Sequence, residues 1–156
     1  MKSPIKRTEA LKPISREHHH GLLLCWKIRQ GLRQQVSVDR IKSYLDWFSK
    51  EYLDPHFFIE ERYLFPVLGN EHVLVKRALA EHRRLKRLFN QWTEISKALW
   101  LIEEELDLHI RFEERVLFNE IQKIATPDQL ENLKKQHHPL SISDDQWNDP
   151  FWESNA

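Results

Sequence analysis

From about residue 15 to residue 124 apolar side chains recur every three to four positions, the period of amphipathic helices packed on a shared core. Helix A is predicted from Ser15, whose hydroxyl suits an N-cap. It carries Leu22, Cys25, Ile28 and Leu32 on one face and fades near Gln34. Helix B follows the cap Ser37 and repeats Ile41, Leu45, Phe48, Tyr52, His56, Ile59 and Tyr63 before Gly69-Asn70 stops it. Pro55 interrupts that repeat, and its missing N–H and crowding of the preceding turn predict a kink at Asp54-Pro55. Helix C runs from about Glu71 through Val75, Ala78, Leu79, His82, Leu85 and Phe89. Helix D carries Ile102, Leu106, His109, Phe112 and Val116 to about Ile124, ahead of a Thr126-Pro127-Asp128 turn.

No Gly or Pro separates helices C and D, yet one helix over residues 71–124 would reach roughly 80 Å at 1.5 Å per residue. A turn is therefore predicted near Trp92 to Ser96. Histidine spacing agrees with it. His18 and His56 are centred on residue 37, His56 and His82 on residue 69, and His82 and His109 between residues 95 and 96. Equal arms about each hairpin bring the four imidazoles to one level. The fold predicted is all-α, an antiparallel up-down-up-down four-helix bundle over residues 11–126, with a flexible N-terminus at 1–10. A C-terminal extension, partly irregular, occupies 127–156. From His137 onward it is rich in Pro, Ser, Asp and Asn, although Trp147, Phe151 and Trp152 are large enough to dock on the bundle.

Composition narrows the class. The 156 residues suit one domain, and 40% hydrophobic with 31% charged residues and three glycines favours long helices over a sheet rich in turns. Twenty-four basic and 24 acidic residues cancel, and no long basic run exists, which argues against a nucleic-acid partner. A single cysteine, Cys25, excludes an intramolecular disulfide and reads as a small buried hydrophobe. With no apolar run of membrane-spanning length and no signal-peptide core, a cytoplasmic protein that does not enter a membrane is expected. The aromatic tail allows a homodimer.

Candidate chemistry lies in a repeat. His56-Phe57-Phe58-Ile59-Glu60-Glu61-Arg62-Tyr63-Leu64-Phe65 is echoed 53 residues later by His109-Ile110-Arg111-Phe112-Glu113-Glu114-Arg115-Val116-Leu117-Phe118. In each copy the histidine and the glutamate four positions on share one helical face. Alone, any of these histidines reads as a satisfied polar residue near a helix end. Together, His18, His56, His82 and His109 with Glu60 and Glu113 match the way bundles build carboxylate-bridged two-metal sites. A metal also removes the cost of burying two unpaired carboxylates. His18 falls on the apolar face of helix A, with His19 as the alternative if the helix start is rotated. Glu61 and Glu114 lie off that face and suit the orientation of ligating imidazoles. Lys86 reads as a surface residue, Tyr52, Tyr63 and Glu105 as rim or core, and His72, His137 and His138 as solvent-facing. Imidazole with carboxylate suits iron, and also zinc, manganese or cobalt.

Glu-His in helices A and C, with His-x-x-x-Glu-Glu followed by Leu-Phe in helices B and D, resembles the hemerythrin-like, or HHE cation-binding, family over about residues 11 to 124. The resemblance implies a non-haem di-iron centre, two iron ions with an oxo or hydroxo bridge allowed, in which Glu60 and Glu113 bridge and the four histidines are terminal ligands. Oxygen-carrying hemerythrins have a further histidine one turn after the helix C ligand, where this chain has Lys86. That leaves an open site, a water, or a substitute such as Glu105 or Tyr63 to complete the shell. The function expected is binding or sensing of a small diatomic or peroxidic ligand (dioxygen, nitric oxide, peroxide), or of iron itself. Alternatives are an enzyme on the same scaffold that reduces nitric oxide or peroxide or donates iron for cluster repair, served by a redox partner, and a bundle with structural zinc or no metal.

Overall fold

The computed structural model describes residues 6–153, and all regular structure among them is helical. Helix α1 spans Lys12–Arg33. It begins three residues before the predicted cap because Pro13 sits in the first turn, where a missing N–H is harmless, and because the Ser15 hydroxyl is drawn to Glu114 instead of the backbone. A turn with Gln35 at φ +56° leads to α2, Val38–Phe48. A π-helical turn over Ser49–Leu53 joins α2 to α3, Asp54–Ile59, and a second π turn over Glu60–Leu64 extends the same leg. Where a kink is expected at Asp54-Pro55, the helix passes through the first of these π turns, which widens the backbone ladder ahead of the residue that cannot donate.

Gly69, at φ +91°, makes the next turn. Helix α4, Val73–Phe89, is capped by His72, whose Nδ1 accepts the Leu74 N–H at 3.1 Å. His72 is thus a half-buried cap and not simply solvent-facing. The turn hidden in the sequence follows Phe89 and ends at Glu94, which adopts φ +49°. What stops α4 is tertiary: buried Lys42 crosses from α2 and donates to the Phe89 carbonyl at 2.6 Å, satisfying a group the helix end leaves orphaned. Helix α5, Ile95–Phe112, continues through a third π turn, Glu113–Leu117, into α6, Phe118–Ile124.

The legs run antiparallel. Along α1 and α5, His18 meets Glu113, Gly21 faces Ile110 and Arg29 pairs with Glu103, one set of numbers rising as the other falls. Gly21 permits that approach, since a Cβ there would lie 2.7 Å from Ile110 Cδ1. Each π turn adds one residue and so rotates the inward face. Tyr63 and Val116, expected inside on a 3.6-residue wheel, are displaced by fully buried Leu64, Phe65, Leu117 and Phe118, and Val116 is 41% exposed. Leu22 likewise sits at the rim while Leu24 turns inward. Two apolar clusters result, one with Leu24, Ile28, Leu45, Phe48 and Ile102, the other with Ile14, Leu64, Phe65, Phe112 and Phe118. Each such side chain contributes about 1.5–3 kcal/mol on burial, and the polar layer of candidate ligands lies between them.

The described residues toward both ends are tied to the bundle. Residues 1–5 of the expected flexible N-terminus lie outside the described residues, but Arg7 bonds Glu114 and Asn119, and the Thr8 N–H bonds Gln122. The Thr126-Pro127-Asp128 turn opens a further helix, α7, Pro127–Gln136, through a capping box in which Thr126 and Gln129 exchange hydrogen bonds. Beyond it the extension lacks long helices, as its composition suggests, yet Trp147, Phe151 and Trp152 pack their rings 5.3–5.5 Å from that of Tyr44. Among the described residues no helix is long and apolar enough to cross a membrane.

Candidate metal centre

Each copy of the repeated motif places its histidine on the last turns of regular helix and starts a π turn at the following glutamate. π turns of this kind recur at functional sites because they re-aim side chains without ending the helix. Here they turn Glu60 and Glu113, both with no exposed surface, into the bundle interior. His18 Nε2 lies 3.0 Å from Glu113 Oε1 and 3.5 Å from Glu60 Oε2. His56 Nε2 is 3.3 Å from Glu60 Oε2, His82 Nε2 is 3.2 Å from Glu60 Oε1, and His109 Nε2 is 3.3 Å from Glu113 Oε1.

The six residues form two overlapping buried clusters, His18, His56, Glu60 and Glu113, then Glu60, His82, His109 and Glu113, with donor atoms within 4.8 Å of one another in each. Both clusters share the two glutamates. His19 is exposed, so the helix A member of the layer is His18. Although these atoms are close, most are not aligned as hydrogen bonds. The Nε2 atoms of His56, His82 and His109, both oxygens of Glu60 and Oε2 of Glu113 are buried without a partner. Orphaned buried donors and acceptors are costly. Their convergence, with imidazole and carboxylate chemistry, fits a pair of divalent cations.

The outward nitrogens, unlike most of the inward ones, are all hydrogen-bonded. Nδ1 of His56 donates to Glu17 at 2.8 Å, Nδ1 of His82 to Glu61 at 2.6 Å, Nδ1 of His109 to Glu81 at 2.7 Å and Nδ1 of His18 to Glu114 at 3.0 Å. Each carboxylate reaches from one leg to the imidazole of the next, so the four clasps close a ring around the bundle. Such bonds fix the tautomer that leaves Nε2 free for a metal. Glu61 and Glu114 were expected in this role; Glu17 and Glu81 were not. The available signal was a glutamate directly before each of His18 and His82, mirroring the one directly after Glu60 and Glu113.

Other candidates stay apart. Glu105 forms a surface pair with Arg84 at 3.0 Å, and Tyr63 meets the exposed ring of Phe58, so neither substitutes for an imidazole at Lys86. Lys86 itself is exposed, and Phe57 stacks on His82 with ring centres 3.7 Å apart. Each cluster holds two imidazoles and the same two carboxylates. Tyr52 is buried against His56 and donates to the Glu17 carbonyl. His137, expected in solvent, is buried and bonds Glu17. Burial pushes the Cys25 thiol up to about 12, which leaves it inert.

Charge in the layer is self-consistent. Burial works against a charged His56, but Glu60 and Glu17 outweigh it and raise its pKa to about 9. Burial and the Glu113 charge press Glu60 upward, yet His56 and His18 hold it at about 2. Burial likewise opposes the charge of Glu17, and His137, His56 and the Leu140 amide bring it to about 2. A raised histidine stabilises the metal-free fold below its unfolded value of 6.5 and stops doing so as pH rises through about 9. The depressed glutamates stabilise it above 4.5 and cease to as pH falls through about 2. The metal-free chain is therefore expected to melt highest between pH 4.5 and 6.5, with a decline toward pH 9 that bound metal abolishes. Thermal melts across pH with and without chelator check this.

Against His18, His56, His109 and Glu113 lies a cavity of about 10 Å³, walled by Tyr52, Phe57, Leu106 and Ile110. That is room for one water-sized molecule.

The model of the Hemerythrin HHE cation binding domain family matches residues 10–95 and again residues 74–141. The matches together take in every candidate ligand, α7 and His137. No curated protein and no solved structure matches the chain.

Proposed function

Because the chain belongs to the hemerythrin HHE cation-binding domain family, we propose that its buried layer is a non-haem di-iron centre that binds or senses a small diatomic or peroxidic ligand. Dioxygen, nitric oxide and peroxide are the candidate ligands. The carrying observation is a pair of four-donor clusters that share Glu60 and Glu113 and border a one-molecule cavity with an apolar wall. Iron bound there supplies redox-active coordination.

The chain's own residues do the rest. His18 and His56, with the two shared glutamates, would hold one cation, and His82 and His109, with the same glutamates, would hold the other. The ring of outer carboxylates keeps each imidazole in the ligating tautomer and takes the positive charge that metal binding places on it. Leu106, Ile110 and Phe57 exclude bulk water from the cavity, which favours apolar gases over solvent. Reversible binding needs no general base or nucleophile, and any reducing equivalents come from a separate redox partner.

Anaerobic purification followed by metal analysis is expected to give two irons per chain, and visible absorption is expected to change on admission of air or nitric oxide. Full occupancy by zinc under iron-replete expression, with no spectral response to either gas, overturns the reading in favour of a structural metal.

A further inference from the structure

The four carboxylates around the site are not equivalent. The side chains of Glu61, Glu81 and Glu114 are 34%, 30% and 22% exposed, whereas that of Glu17 is 2% exposed. A buried carboxylate needs partners on both oxygens. Glu17 gives Oε1 to His56. Its Oε2 accepts from His137 Nε2 at 2.7 Å and from the Leu140 amide at 2.8 Å, and both donors lie past α7.

That segment is anchored at places remote from the metal layer. Buried Lys27 donates to Asp144 at 2.6 Å and to Tyr44 at 3.0 Å, and its ammonium lies 3.9 Å from the centre of the Trp152 ring. Arg40 holds Asp149 through two bonds. Phe151 lodges against Gly31, where a Cβ would stand 2.9 Å from Phe151 Cδ2 and from Ile41 Cδ1. Lys27 and Gly31 follow His18 on α1 by nine and thirteen residues, roughly 13 to 20 Å along the helix.

We propose that segment 137–153 is a lock on one half of the centre. Docked, it fixes Glu17 and so aims His56 at the first cation; released, it loosens that cation and leaves the His82 and His109 half unchanged. His137 is then a positioning residue, acting through Glu17. This rests on the dinuclear reading above and adds regulation to it. Because coupling of this kind is reciprocal, a metal held by His18 and His56 also favours the docked tail.

Zinc loaded into the full chain, then withdrawn by a chromogenic chelator, reads the lock without redox chemistry. In His137→Ala one of two ions is expected to leave about 10-fold faster, the lower range for loss of a group that orients a ligand, while the other leaves at the wild-type rate. His137→Gln, whose side-chain amide keeps a donor, restores the slow rate. Phe151→Ala, which removes the ring lodged against Gly31, reproduces the fast phase with His137 intact. In the reverse direction, zinc should slow chymotryptic cleavage after Trp147 and Phe151 in the wild type and not in His137→Ala. Wild-type release of both ions from His137→Ala, or equal acceleration of both, overturns the lock. A wild-type chain that takes up fewer than two ions fails before any variant is compared, and that result sinks the dinuclear reading instead.

Discussion

Glu113→Ala is expected to strip both metals from the chain, whereas His109→Ala removes only one. Glu113 belongs to both donor clusters, with Oε1 beside His18 and His109 and Oε2 3.8 Å from His82 Nε2. Removing it costs each cation an anionic donor and leaves four imidazoles facing one remaining carboxylate. Loss of a residue that merely orients a ligand weakens binding 10–100-fold, so loss of a shared ligand should exceed about 100-fold at both positions. Elemental analysis after gel filtration reads the outcome as metals per chain. Two metals retained by Glu113→Ala would refute the bridging role, and the contrast with His109→Ala separates a shared donor from general damage. Circular dichroism shows whether the variant is folded, since Glu113 starts a π turn but takes part in it through the backbone.

The second large effect is thermal. The metal-free layer buries two carboxylates and four imidazoles with six orphaned polar atoms among them. A ligand at 1,000 times its dissociation constant adds about 4.1 kcal/mol per site, so two sites add about 8 kcal/mol. For a chain of this size 1 kcal/mol moves the melting temperature by about 2–4 °C. Chelator is therefore expected to lower Tm by roughly 15–30 °C, restored by ferrous iron added anaerobically. A shift of a degree or two would mean that the histidine and glutamate charges satisfy one another without a cation. The same titration yields the stoichiometry, because stabilisation stops rising steeply once the tighter sites are filled.

Both effects trace to features that differ in how openly the sequence carries them. The repeat from His56 to Phe65 and from His109 to Phe118 is visible by eye, and helical periodicity puts histidine and glutamate on one face whatever surrounds them. The turn after Phe89 was located only by chain length and histidine spacing, since neither Gly nor Pro marks it. Its cause, the Lys42 ammonium on the Phe89 carbonyl, connects residues 47 apart. In the two legs that carry the repeat, wheel positions drawn at 3.6 residues per turn held as far as the histidines and failed after the glutamates, because the π turns at Glu60 and Glu113 shift the register by one residue.

Outer partners were the least legible part. Glu61 and Glu114 drew notice through their repetition, but Glu81 and Glu17 are ordinary helical glutamates until a neighbouring leg brings His109 and His56 against them. His137 lies in a polar stretch with no period and gives no local sign of burial. Docking of the aromatic tail depends on a Gly31 gap and a buried Lys27 that only the packed bundle creates.

By itself, then, the chain determined its four legs, their antiparallel order and the six residues that meet at one level, because each of these follows from local periodicity and from distances measured along helices of fixed rise. Only the tertiary structure decided which carboxylate clasps which imidazole, where the helices widen, and how the C-terminal segment closes over Glu17. Those are hydrogen bonds and contacts between residues far apart in sequence, and no local pattern of side chains encodes a partner that folding alone brings near.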